Sequence, residues 1–213
     1  MFIRDRDLLL HEPSLFRDVG WVGQRLVKGS AGIAGTLLTF VSQDVQLDLA
    51  NIDVGHVATI GGVSYEVVDR VSATELTVSR ARASEADEVQ PPAPVTFDTC
   101  MISTFRPQIG LVHAQVLRTL GIEPGAAAAL GKVTESSITN PAAFKEIEAL
   151  GALHLIYSAA ASLTGAGSVA DQRAALYRER FGAARSRAVA LVDTDGDGKP
   201  DASRRMNVVQ FVR

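Results

Sequence analysis

Hydrophobic and polar residues alternate with a period of two from Leu37 to about Phe97 and recur at helical spacing from about Thr104, so a strand-rich half precedes a helix-rich half. The alternation is cleanest over residues 56–79, HVATIGGVSYEVVDRVSATELTVS. Val63, Tyr65 and Val67 fall on one strand face, and Ser64 and Glu66 on the other; Leu76 and Val78 alternate with Glu75, Thr77 and Ser79. Gly61-Gly62 supplies the positive φ of a two-residue hairpin, and Ser72-Ala73-Thr74 marks the next reversal. The pattern predicts strands at 37–41, 45–49, 56–60, 63–70, 75–79 and 95–98. Closure into a small antiparallel barrel would hide their edges. In this register Tyr65→Ala costs about 3 to 5 kcal/mol, and Glu66→Ala, on the opposite face, under about 0.5 kcal/mol.

Three helices are predicted beyond the sheet. The first starts near Pro107 with a stripe of Ile109, Val112, Val116 and Leu120 and a C-cap at Gly121. The second opens at Asn140-Pro141 and runs to about 163 with Phe144, Ile147, Leu150, His154 and Tyr157 on one face. The third opens at a capping-box pattern, Ser168 to Asp171, and runs to about 192. Its stripe is Tyr177, Phe181, Ala184, Ala188 and Leu191; Arg178, Arg180, Arg185 and Arg187 load another face, which reads either as a solvated surface or as a contact. Three such helices make a small bundle.

The fold class expected is therefore α+β, a small antiparallel β-barrel-like domain plus a three-helix bundle with extended N- and C-terminal arms. The boundaries are an N-terminal arm over 1–36, where Pro13 and the glycines break any long helix, a β domain over 37–98, a helical bundle over 99–192, and an acidic turn with a docking arm over 193–213. Residues 81–94, acidic and proline-rich, read as a surface loop.

At 213 residues and 46% hydrophobic the chain can bury one good core or two small ones. A net charge of −3 gives no footprint of a dedicated nucleic-acid binder. The single Cys100 excludes an internal disulfide framework and reads as a packed residue rather than a nucleophile. No signal peptide and no 18-residue apolar span is expected, hence no membrane partner.

One segment has metal-ligand spacing. Asp193, Asp195, Asp197 and Asp201 stand at positions 1, 3, 5 and 9 around a glycine at position 6, the arrangement that wraps calcium in oxygen ligands. The twelfth position, a bidentate Glu in an EF-hand, is Arg204, so the segment is closer to the shorter calcium loops of dockerins and thrombospondin-type repeats. An acidic glycine-rich turn that stops the third helix is the other reading. His113 and His154 lie on different helices and could meet, while His11 and His56 are dispersed. Nucleophile elbow, P-loop and dinucleotide fingerprint are all missing, so the chain reads as no enzyme; a site assembled from His113, His154 and Asp171 has no named constellation. From Met206 the tail turns apolar and β-prone. Val208, Val209, Phe211 and Val212, with Arg204 and Arg205 at the base, read as partner-binding residues.

The phrase GGVSYEVVDRVSATELTVS resembles hairpins that recur in structural proteins of tailed bacteriophages, and a helical bundle with an extended C-terminal arm is similar in architecture to their head-to-tail connector, or adaptor, proteins. The resemblance implies a virion protein assembled in the host cytoplasm: a homo-oligomeric ring of about twelve subunits that joins the portal protein to tail or neck proteins. Genomic DNA passes through such a ring without sequence-specific contact. It implies no catalytic residue. A calcium-stabilised binding module of a surface assembly is the alternative, favoured by the DTDGDG turn.

Overall fold

The computed structural model describes residues 1–127 and 132–207. The chain forms two compact units with separate cores: Arg4–Arg106, and Met1–Ile3 with Pro107–Arg213.

In the first unit, strands β1 (Gln24–Ala34), β2 (Leu37–Gln43), β3 (Val57–Ile60), β4 (Val63–Arg70), β5 (Glu75–Ser79) and β6 (Val95–Thr104) close into an antiparallel barrel in the order β1-β2-β5-β4-β3-β6. Val27, Ile33, Leu38, Phe40, Tyr65, Val67, Leu76, Val78, Cys100 and Ile102 fill its interior. The expected strands at 63–70 and 75–79 are present as β4 and β5.

The N-terminal arm expected over 1–36 is instead part of this unit. Helix α1 (Asp5–Leu9) and helix α2 (Leu15–Asp18) pack on β3 and β4, burying Leu8, Leu9, Leu15 and Phe16, and β1 closes the barrel between β2 and β6. The glycines read as breakers are there because backbones approach closely. A Cβ on Gly29 would lie 2.0 Å from the Ser42 carbonyl oxygen, and one on Gly32 2.4 Å from that of Thr96. The β domain therefore begins well before 37. It also ends later than 98, because β6 continues to Thr104.

Residues 45–49 form no strand. A chain reversal there sends Leu47 and Ile52, both fully buried, into the barrel, and the Ile52 amide donates to the Leu47 carbonyl at 2.9 Å. The expected two faces of β4 also need correction. Val63, assigned inward, is 50% exposed at the strand's start, and Glu66, assigned to solvent, is fully buried. Glu66 does point out of the barrel, but α1 and the 81–94 loop cover it there. Its carboxylate accepts from the Nε of Arg6 and the Nε of Arg82. The Arg6 guanidinium donates onward to the Arg82 carbonyl at 2.6 Å, and Arg82 to the carbonyls of Glu85 and Asp87 at 3.2 and 2.7 Å, so one carboxylate ties helix, strand and loop together.

In the second unit, α3 (Arg106–Thr119) buries the expected stripe of Ile109, Val112 and Val116, with Leu120 just past its end, and Gly121 turns the chain at φ +68°. Helices α4 (Lys145–Thr164) and α5 (Val169–Arg187) pack antiparallel across a four-residue link, with the rings of Tyr157 and Tyr177 stacked at 5.8 Å. Gly151 lets α3 and α5 approach α4, since a Cβ there would meet Val112 at 2.6 Å and the Phe181 ring at 3.0 Å.

This unit is not the bundle of three expected over 99–192. Its core is completed by a hairpin, β7 (Val189–Val192) and β8 (Ala202–Arg205), whose Ala190 and Val192 pack with Met206 against Val116, Leu117, Phe144 and Ile147. The third helix therefore ends at Arg187 rather than 192, and Leu191 lies on the outer side of β7. Asn140 stands at the expected N-cap, with Pro141 opening the 3₁₀ turn Pro141–Phe144 that leads into α4, but its side chain makes no cap bond. Its amide donates to the Val189 carbonyl at 3.0 Å and accepts from the Leu191 amide at 2.8 Å, holding β7 as a neighbouring strand would.

Residues 141–164, the 3₁₀ turn Pro141–Phe144 with α4, are long and apolar enough to cross a membrane, contrary to the expectation of no such span. The same residues are core-forming: Phe144, Ile147, Leu150, Leu153, Ile156 and Tyr157 are all buried in this unit.

Candidate functional site

The acidic turn links β7 to β8. Oxygens of Asp193, Asp195 and Asp197 lie within 4.8 Å of one another. The turn's own backbone already occupies these carboxylates: Asp193 accepts from the amides of Gly196 and Gly198 at 2.6 and 2.8 Å, Asp195 from Asp197 at 3.1 Å, and Asp197 from Lys199 at 2.7 Å. The two glycine amides hold the Asp193 pKa below the ordinary carboxylate range. Asp201, the fourth expected ligand, turns to Thr194, accepting from its amide at 3.1 Å and its hydroxyl at 2.7 Å, and stands outside the group of three.

Arg204, expected at a docking surface, is bound inside its own unit. Its guanidinium donates to the carbonyls of Leu120 and Gly121 at 2.6 and 3.2 Å, where α3 runs out of intrahelical partners. Arg205 is exposed. The expected arm from Met206 is corrected at its first residue: Met206 is buried, and its amide donates to the Ala188 carbonyl at 3.3 Å. Val208, Val209, Phe211 and Val212 lie outside the described residues.

A second polar cluster holds the chain's first residues. Glu148, fully buried on α4, accepts from the amides of Phe2 and Ile3 at 2.7 and 2.9 Å. His113 of α3 stands between Glu148, 2.8 Å from its Nδ1, and Glu135, 3.1 Å from its Nε2; the Met1 ammonium is 3.1 Å from Glu135, and the Phe2 ring lies edge-on to the imidazole. Burial works against the imidazolium, but the two carboxylates outweigh it and raise the His113 pKa. The clasp therefore stabilises the unit fully below the ordinary histidine pKa and weakens as pH rises through the raised value.

His154 does not join His113. Its Nδ1 lies 3.1 Å from the Ala174 carbonyl and 3.3 Å from the Ser158 hydroxyl. His56 sits by Asp53, its Nδ1 2.7 Å from the carboxylate. Burial pushes the Cys100 thiol up to about 12, which makes it inert.

Sequence reasoning missed Glu66, Glu135 and Glu148. Glu148 had a weak signal, since it stands four residues from both Phe144 and Ala152 on an apolar helix. Glu66 had none, because alternation alone places it outward.

The outer barrel wall carries a shallow trough of about 240 Å³, lined by Ile33, Leu37, Val41, Val95 and Phe97 around Gly32. Phe97 is 61%, Val41 59% and Leu37 36% exposed. Glu75 pairs across from Thr39 at one edge of the trough, whereas Asp98 pairs with core residue Ala31 and its carboxylate lies by Gly61 at the β3-β4 turn, on the other face of β6 from Phe97. The two units differ in charge. Arg4–Arg106 has nine Lys and Arg against fourteen Asp and Glu, net −5, and the rest of the chain twelve against ten, net +2.

No family model, no curated protein and no solved structure matches this chain.

Proposed function

We propose that this chain is a structural ring subunit of a head-to-tail connector of tailed bacteriophages, joining the portal protein to tail or neck proteins around the channel through which genomic DNA leaves. The observation that carries the reading is the apolar trough on a barrel that is already closed. Closure leaves no strand edge to pair, so Phe97, Val41 and Leu37 are explained by burial against another protein surface. The buried polar groups support the same reading, because Glu66, Glu148 and Asp5 are all engaged in contacts that hold the chain together. A net charge of −3 suits a wall past which DNA must slide with weak contact.

The test is to mix the purified chain with candidate portal and neck proteins and to measure masses and images of the products. A ring of about twelve copies seated on the portal is the expected result. A specific turnover abolished by a single substitution, for example at His113, would sink the proposal.

The three clustered aspartates favour a second reading, a calcium-stabilised binding module. In that case calcium raises the melting temperature of the chain and Asp195→Asn removes the rise. An unchanged melting temperature at millimolar calcium eliminates it.

A further inference from the structure

We infer that His113, Glu135 and the Met1 amine together form a binding site for zinc or a closely related divalent ion. All three lie in the helical unit, and the two nitrogens converge on one carboxylate. The Met1 nitrogen is 3.1 Å from Oε1 of Glu135, and the His113 Nε2 is 3.1 Å from its Oε2. Ligands held at about 2.1 Å from one ion stand about 3.0 Å apart across an octahedral edge and about 3.4 Å across a tetrahedral one, so both spacings are those of neighbouring ligands.

A salt bridge has the same spacing, and three further observations point to a metal. First, the imidazole is oriented as a ligating one is. Fully buried Glu148 lies 2.8 Å from Nδ1, which leaves Nε2 as the nitrogen turned to Glu135, and a carboxylate on the far ring nitrogen is the usual support of a metal-bound histidine. Second, the charges balance. Two carboxylates here face an imidazolium and an ammonium; a divalent ion that displaces one proton from each leaves the net charge of the cluster at zero. Third, one side is open. Glu135 also lines a cavity of about 510 Å³ with Phe2, Thr134, Ser136 and Ile138, which admits the ion and the waters that complete its shell.

The donors select the ion and are held in place for it. An imidazole, an amine and a carboxylate suit zinc and its transition-metal neighbours, whereas calcium and magnesium take shells of oxygen. His113 stands within α3. Glu135 opens the turn Glu135–Ser137, which the Ser137 amide closes on the Thr134 carbonyl at 3.0 Å and the Asp193 amide ties to β7 through the Ser137 carbonyl at 2.9 Å. Glu148 is a positioning residue for both nitrogens. It orients the His113 ring and, by accepting from the amides of Phe2 and Ile3, anchors the segment that carries the amine.

The experiment titrates the full chain with zinc chloride in two buffers of different ionisation heat, at about pH 6, below the raised His113 pKa. The expected result is one zinc per chain with about two protons released, and no competition from equal magnesium or calcium. Glu135→Gln, at a partly exposed position, removes the charge and should weaken zinc more than the roughly tenfold that losing an outer partner costs. Acetylating the Met1 amine should weaken binding and cut the release to about one proton. Asp195→Asn, in the acidic turn, should leave zinc binding unchanged. Full zinc affinity in Glu135→Gln, loss of binding in Asp195→Asn, binding without proton release, or no binding at millimolar zinc overturns the inference.

Discussion

Glu66→Ala is the substitution on which pattern and packing disagree most. Alternation along β4 puts Glu66 on the solvent side and implies a cost under about 0.5 kcal/mol. In the folded unit its carboxylate is the shared acceptor for two guanidinium groups, Arg6 and Arg82, both nearly as buried as itself. Removing it leaves two like charges facing each other away from water, and breaking a buried pair in this way costs about 3 to 5 kcal/mol. For a chain of this size that is a fall in melting temperature of roughly 10 °C.

Urea unfolding followed by the fluorescence of Trp21, the only tryptophan, reads the unit that contains Glu66. The midpoint should fall while its slope with urea stays unchanged, the sign of lost stability without a change in exposed surface. Asp69→Ala, at an exposed position on the same strand, serves as control at under about 0.5 kcal/mol. A Glu66→Ala cost below about 1 kcal/mol would refute the argument that the triad fastens α1 and the loop to the barrel.

Three further outcomes follow from the packing. Burial raises the Asp5 pKa to about 6, against hydrogen bonds from the Thr104 hydroxyl and the Phe105 amide that lower it. Between about pH 4 and 6 the folded chain then holds a proton that the unfolded chain has released, so stability falls as pH rises through that window, by about 2 to 3 kcal/mol. A stability profile of Asp5→Asn that falls equally over the window would remove Asp5 as the cause. Gly151→Ala should cost about 1 to 3 kcal/mol, because the added methyl meets Val112 and Phe181; a neutral result in thermal melts would mean that α3 and α5 give way freely. Met206→Ala should cost about 2 to 5 kcal/mol by opening a cavity beside Ala190 and Val192, whereas an arm that begins at 206 would show no change.

The bounds of β4 and β5 were legible in the sequence, as was the stripe of α3. Strand alternation and helical recurrence are set by neighbours two to four residues apart, and Tyr65, Val67, Leu76 and Val78 or Ile109, Val112 and Val116 register that geometry directly. The acidic turn was legible as a turn, since Asp193 and the glycines at 196 and 198 fold it through their own hydrogen bonds.

Contacts between distant segments decided the rest. Gly29 and Gly32 look like breakers until β2 and β6 lie against them, when they become the residues that allow β1 to close the barrel. Leu191 continues a helical stripe, yet Asn140, about fifty positions earlier, recruits its segment as a strand. Glu66 is buried only because Arg6 and Arg82, sixty and sixteen positions away, bring their elements over it. Periodicity says which side of a strand a residue occupies; whether that side meets water depends on what the rest of the chain lays across it.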